Sequence, residues 1–343
     1  ADLGRGAPVA AARGSCHDLG ADWWALLQLV YVVTRRYGTE IDLSRLSHRV
    51  SLTEILGHID AAARRTDAPG APVDVEVWQR GEGRDVLCLV HPVGGDIHAY
   101  RPLVSALDDR LTVCLIADPA LSDPHRPAHS IAERAAQYLE ALRGEFPDHE
   151  GRLSLAGWSF GAWMALSMAA LEEENGRLVH GLYLLDPPPP GAGARLAAYD
   201  DGQVDAVFTR ELSGNRTGGL SARGRDYAER LSHCCRANLA AMGEHRLPRL
   251  THTPTTLWLA ERVVQDAPSL APEPAAAERW HAHLPVPVRT HRVDADHYAL
   301  VAPPHIRSVA EVIEADLADP APTARRYGIG DAPGRPAPIP SPR

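Results

Sequence analysis

Cysteine is scarce in this chain, and the five present among 343 residues are scattered and odd in number. That argues against the disulfide framework of a small secreted domain and for a reducing, cytoplasmic setting. Cys88 and Cys114 fall in apolar strand-like runs and read as core residues, and Cys234-Cys235 lies in a helix-like stretch. No pair has the spacing of a metal knuckle, and the 17 histidines form no H-x-x-x-H cluster on a clear helix, so no metal is expected. Long apolar runs are absent too. The longest, Trp23 to Val33, is broken by Gln28 and is too short for a bilayer, which speaks against a membrane partner. Positive charge is not in excess: 35 Lys and Arg stand against 44 Asp and Glu, and the net charge of -9 is not gathered in one block, so nucleic acid is not an expected partner. The first residues lack the charged and apolar regions of a signal peptide, and a start at Ala1 rather than Met reads as part of a longer protein. What is present is 45% hydrophobic residues, enough for a full core, and a length that allows two domains or one with extensions.

Residues Ala1 to His17 show little periodicity and are expected to lack fixed structure. From Trp23, apolar residues at Trp23, Leu26, Leu27, Val30 and Tyr31 recur at helical spacing as far as Tyr37-Gly38. A second helix starts at Ser51, where Ser51 and Glu54 make an S-x-x-E capping box before Ile55, Leu56 and Ile59. The segment 1–65, over about Cys16 to Arg65, resembles the C-terminal part of an acyl or peptidyl carrier domain, whose Leu-Gly-x-Asp-Ser pattern is matched by Leu19-Gly20-Ala21-Asp22. Trp23 stands where carriers have the serine that receives phosphopantetheine, and an indole has no hydroxyl to phosphorylate. The family's long first helix has no counterpart before Leu19, so the resemblance implies a degenerate carrier, and Ser15 is no substitute attachment site.

Residues 66–72, with two prolines and a glycine, read as a linker. Beyond them strands and helices alternate: Val73 to Gln79, Val86 to Val90, Tyr100 to Leu107, Leu111 to Ala117, then a helix opened by a Ser130/Glu133 capping box. The alternation predicts an α/β fold with a mostly parallel sheet covered on both faces. The stretch 196–250 breaks the rhythm and reads as a helical insertion. Strand patterning resumes at Thr255 to Leu259 and Val286 to Val293, a last helix is expected over Ile306 to Leu317, and the proline-rich tail 319–343 is expected to be disordered.

The chemistry centres on Gly157-Trp158-Ser159-Phe160-Gly161, a G-x-S-x-G pattern between a short apolar strand and an apolar helix. That is the context of a nucleophile elbow. A serine hydroxyl becomes a nucleophile when a base takes its proton and an acid holds that base in the right tautomer. Asp294-Ala295-Asp296-His297-Tyr298 follows the last strand, where such folds carry the base, which makes His297 the candidate; His291 and His305 read as structural. The acid is Asp186, ending the strand Gly181 to Leu185 ahead of four prolines, or Glu261, just past the next strand. Spacing leaves both open. Two backbone N–H groups must hold the oxyanion: Phe160 supplies one and Val93, in His91-Pro92-Val93-Gly94-Gly95, the other.

Residues 73–318 then resemble the thioesterase domains that end modular polyketide synthases and nonribosomal peptide synthetases, α/β-hydrolases in fold. The resemblance rests on Leu89 to Gly95, Ala156 to Gly161, Leu184-Leu185-Asp186 and Asp296-His297-Tyr298. It implies Asp186 as the acid, 196–250 as a helical lid, and a Ser159 acyl-enzyme that releases a polyketide or peptide chain by hydrolysis or macrocyclisation. It implies no cofactor besides the phosphopantetheine of the substrate, and an upstream carrier protein with its acyl chain as partners. A stand-alone esterase or lipase shares the elbow, but the carrier-like prefix argues against it. A non-catalytic docking module would suit Trp23, but Ser159, His297 and the acid candidates argue against that.

Overall fold

The computed structural model describes residues 73–318 apart from 124–125, 127–128, 148–151, 205–221, 265–272 and 274. The carrier-like segment 1–65 with Ser15 and Trp23, the linker 66–72 and the tail 319–343 lie outside the described residues.

Strands β1 (Val75–Gln79), β2 (Val86–Val90), β3 (Thr112–Ile116), β4 (Leu153–Trp158), β5 (Gly181–Leu185), β6 (Thr255–Ala260) and β7 (Val288–Val293) form one seven-stranded sheet in the order β1-β3-β2-β4-β5-β6-β7. All neighbours run parallel except β1, which pairs antiparallel with β3 at one edge. Strands β2 to β6 are buried along their whole length, the consequence of continuous apolar runs covered on both faces. The pleat divides their side chains. Cys88, Val90, Leu155 and Leu184 enter one core, and Leu87, Leu89, Trp158 and Leu185 the other.

Helices α1 (Arg101–Ala106), α2 (Ile131–Glu145), α3 (Phe160–Glu174), α4 (Gly193–Ala197), α5 (Ala222–Glu244), α6 (Ala276–His283) and α7 (His305–Ala318) complete the described fold. Residues of α1 and α7 pack into the second core, and those of α2, α3 and α5 into the first. The capping box at the start of α2 has both bonds: Glu133 N–H donates to Ser130 Oγ at 3.2 Å, and Ser130 N–H donates to Glu133 Oε2 at 2.8 Å. Helix α3 is buried on every side from Phe160 to Ala170, as expected of a helix that is apolar all round. Within 196–250 the described residues are helical at 196–197, 201–204 and 222–244, irregular at 198–200 and 245–250, and include no strand. Leu231, Cys234, Cys235, Asn238, Leu239 and Met242 form the buried stripe of α5. Helix α6 was not among the expected elements; Ala277 and Trp280 are its buried positions, a stripe too short to stand out among the surrounding prolines and alanines.

Candidate active site

The sheet register brings the candidate residues together. Trp158 of β4 pairs with Leu185 of β5, and Leu185 with Trp258 of β6. The ladder runs one residue further: Ser159 N–H donates to Leu185 O at 2.9 Å and Asp186 N–H to Trp258 O at 2.8 Å. Ser159 and Asp186 therefore emerge side by side at the carboxyl edge of the sheet, where open α/β folds bind ligands. Both have positive φ, 57° and 42°. Ser159, at ψ -121° immediately before α3, occupies the strained turn of a nucleophile elbow. The turn needs its flanking glycines: a Cβ on Gly157 would lie 2.1 Å from the Gly161 backbone, and one on Gly161 would lie 2.3 Å from Val90 O.

His297 follows β7 on a loop strapped to β6, because the main-chain N–H groups of Glu261 and Arg262 both donate to Ala295 O. Its Nδ1 lies 2.6 Å from Asp186 Oδ2, and Asp186 Oδ1 accepts from Ala260 N–H at 2.9 Å. An acceptor-only carboxylate at Nδ1 leaves Nε2 free to take a proton. Trp158 supports the ring from below, with centroids 4.8 Å apart, and its Nε1–H donates to His297 O at 3.1 Å. Ser159 and His297 are 9% and 8% exposed and share the wall of two adjoining spaces. One is a cleft of ≈ 340 Å³ that also includes Asp186, Glu261 and Arg195; the other, of ≈ 40 Å³, is lined by Leu239 and Met242 of α5 together with Val93 and Phe160.

Of the remaining sequence candidates, Glu261 lines the same cleft, and His291 and His305 do not. The Glu261 side chain is 46% exposed and sits 3.7 Å from Arg292. His291 stacks on Trp258 at 5.2 Å, and burial lowers its pKa. His305 is the first residue of α7. Among the described residues no group of three or more His, Cys, Asp or Glu is placed to hold a metal ion, and no helix is long and apolar enough to cross a membrane.

The sequence reading missed the polar scaffold under the site. Tyr100 Oη donates to Val90 O at 2.6 Å and accepts from Trp158 N–H at 2.7 Å, tying the ends of β2 and β4 together. Asn238 of α5 donates through Nδ2 to Val93 O at 2.8 Å and to Asp118 Oδ2 at 3.1 Å, and accepts from Arg134 at 2.5 Å. Nothing in the spacing of these residues marks them. Only packing brings them into contact.

The family described as thioesterase domain matches residues 85–317. Enterobactin synthase component F of Escherichia coli (strain K12) is 24% identical over 312 residues, an alignment covering 88% of this chain and 23% of that protein. Thioesterase frbD of Dothideomycetidae sp. (strain 11243) is 32% identical over 126 residues, 36% of this chain and 46% of that protein. The chain thus spans less than half of either relative. Among solved structures, a covalent complex of the NocB thioesterase domain with a fluorophosphonate nocardicin G analog superposes with a TM-score of 0.54 at 26% identity, covering 72% of this chain and all of that one.

Proposed function

This chain belongs to the thioesterase domain family, and we propose that it releases a carrier-bound peptide or polyketide chain through an acyl-enzyme on Ser159. The observation that carries the reading is the convergence of Ser159, on its strained turn, with His297 hydrogen-bonded to Asp186 at the mouth of one cleft. In the proposed reaction Ser159 Oγ attacks the thioester carbonyl while His297 Nε2 takes its proton. The N–H groups of Val93 and Phe160 hold the resulting oxyanion. Collapse expels the phosphopantetheine thiolate, which leaves with the proton returned by His297. Water, or a hydroxyl or amine of the chain itself, then attacks the Ser159 ester with His297 again as base, giving an acid or a macrocycle.

The carbonyl is activated by hydrogen bonds and the nucleophile by a base, so the proposed chemistry calls for no metal or organic cofactor. An upstream carrier is the natural donor: the alignment with enterobactin synthase component F covers 88% of the chain, more than 85–317 occupies, and the carrier-like Leu19-Gly20-Ala21-Asp22 precedes residue 85 in the sequence. The sparse cysteines, with Cys88, Cys114, Cys234 and Cys235 buried as free thiols, support a cytoplasmic setting. Incubation with a fluorophosphonate followed by peptide mass mapping tests the reading. The adduct is expected on Ser159 and absent from Ser159→Ala, whose turnover of a synthetic thioester should fall on the order of 10⁶-fold. Near-normal release by that variant would remove Ser159 from the mechanism.

A further inference from the structure

We propose that His91 is the positioning residue of the oxyanion hole: its imidazole aims the Val93 N–H through the Pro92 carbonyl and packs against the side chain of Phe160, the other donor. The inference rests on the reading of Val93 and Phe160 given above.

The Val93 N–H belongs to the peptide unit whose carbonyl is that of Pro92. In a trans peptide the C=O and the following N–H lie in one plane and point in opposite directions, so whatever holds Pro92 O also aims Val93 N–H. Two donors hold it: His91 Nδ1 at 2.8 Å and the Gly95 N–H at 3.0 Å. A carbonyl only accepts, so Nδ1 carries the proton and Nε2 is left as an acceptor. Tyr138 Oη, 2.9 Å from Nε2, donates to it. The tautomer is therefore fixed by partners on both sides of the ring. Burial lowers the pKa of His91 and keeps it neutral, against the pull of Asp118. On its face the ring stacks with Phe160, centroids 5.6 Å apart at 27°, so one wholly buried imidazole contacts both halves of the candidate hole. A side chain serving only to fill space there would need neither nitrogen.

The test uses the whole chain. His91→Phe keeps the ring and its stacking but removes both nitrogens; pairing it with Tyr138→Phe avoids leaving a buried hydroxyl without its partner. His91→Asn restores a donor close to the Nδ1 position. Removing an oxyanion donor outright typically costs 10²–10³ in kcat, and a donor that is present but free to swing should cost less, so the paired variant is expected to lose roughly 10- to 100-fold in kcat with KM unchanged. Its affinity for a boronic acid, which mimics the anionic tetrahedral state, should weaken by the same factor, and His91→Asn should recover most of both losses. A folded paired variant with normal kcat, or one in which only KM rises, would overturn the proposal. An amide-to-ester replacement at Val93 removes that N–H alone. If it leaves kcat unchanged, the oxyanion reading of Val93 fails and His91 with it; if it lowers kcat while the paired variant does not, only the role of His91 fails.

Discussion

Asp186→Asn is the most revealing substitution, because the surroundings decide which way the new amide points. The side chain keeps its shape, and asparagine tolerates the φ of 42° at this position, so the fold should be undisturbed. An amide has one oxygen, and the Ala260 N–H, 2.9 Å from Oδ1, requires it. The NH₂ then stands where Oδ2 was, 2.6 Å from His297 Nδ1. It donates to Nδ1, drives the ring proton to Nε2, and leaves His297 unable to accept from Ser159. The opposite orientation sets two donors face to face at Ala260, a penalty of about 1–3 kcal/mol. At about 2 kcal/mol the productive tautomer is disfavoured roughly 30-fold. Loss of the charge that stabilises protonated His297 adds to this, and the same exchange in a serine protease costs about 10⁴ in turnover, or about 5.5 kcal/mol. Thioester hydrolysis should therefore fall roughly 10³- to 10⁴-fold, with a matching drop in the rate of fluorophosphonate labelling. Glu261→Gln should stay within about twofold, since that side chain is half exposed and pairs only loosely with Arg292. A loss below tenfold for Asp186→Asn, or a large one for Glu261→Gln, would refute the assignment.

Tyr100→Phe should destabilise the chain by about 2–4 kcal/mol in urea denaturation, because Val90 O and the Trp158 N–H would both lose a partner in the core; an unchanged midpoint would show that water or a backbone shift replaces the hydroxyl. Stability should also depend on pH in a defined window. Burial holds His91, His245 and His291 below 6.5 in the folded chain, so below about pH 6.5 the unfolded state binds more protons and stability falls with falling pH, while above about pH 7.5 these groups contribute no slope. Urea midpoints from pH 8 to pH 5 test this, and a rise toward pH 5 would contradict it. Finally, coenzyme A and a promiscuous phosphopantetheinyl transferase should add no mass to this chain, because Trp23 has no hydroxyl to modify; clean modification would refute the degenerate-carrier reading.

Where the chain repeats a simple rule, the fold could be read from it. Strands β2 and β5 are unbroken apolar runs, α2 announces itself by its capping box, and G-x-S-x-G between strand and helix marks the elbow. The antiparallel pairing of β1 could not be read, because an alternating edge strand carries no sign of its direction. The choice between Asp186 and Glu261 was equally closed to spacing, since each follows a strand end. Register and hydrogen bonding separate them: Asp186 comes out beside Ser159 and bonds His297, whereas the Glu261 carboxylate, half exposed along the same cleft, sits 3.7 Å from Arg292 while its backbone holds the His297 loop. Asn238, Arg134 and Asp118 were invisible for another reason. They lie on separate elements, each is an ordinary residue for its own stretch, and their bonds exist only once α5 has packed.

Asn238 also limits how the specificity of such a domain can be rebuilt. Its amide joins Val93, Asp118 and Arg134, and the side chains of Arg134 and Asp118 are only 9% and 6% exposed. A helix grafted from a relative would bring its own residue to that point, and removing a partner from a buried charge pair costs several kcal/mol. The C-terminal half of α5 thus belongs to the chassis rather than to the exchangeable part. A chimera that keeps this body should be joined N-terminal to Asn238, and one that takes the whole helix should carry Asp118 and Arg134 with it.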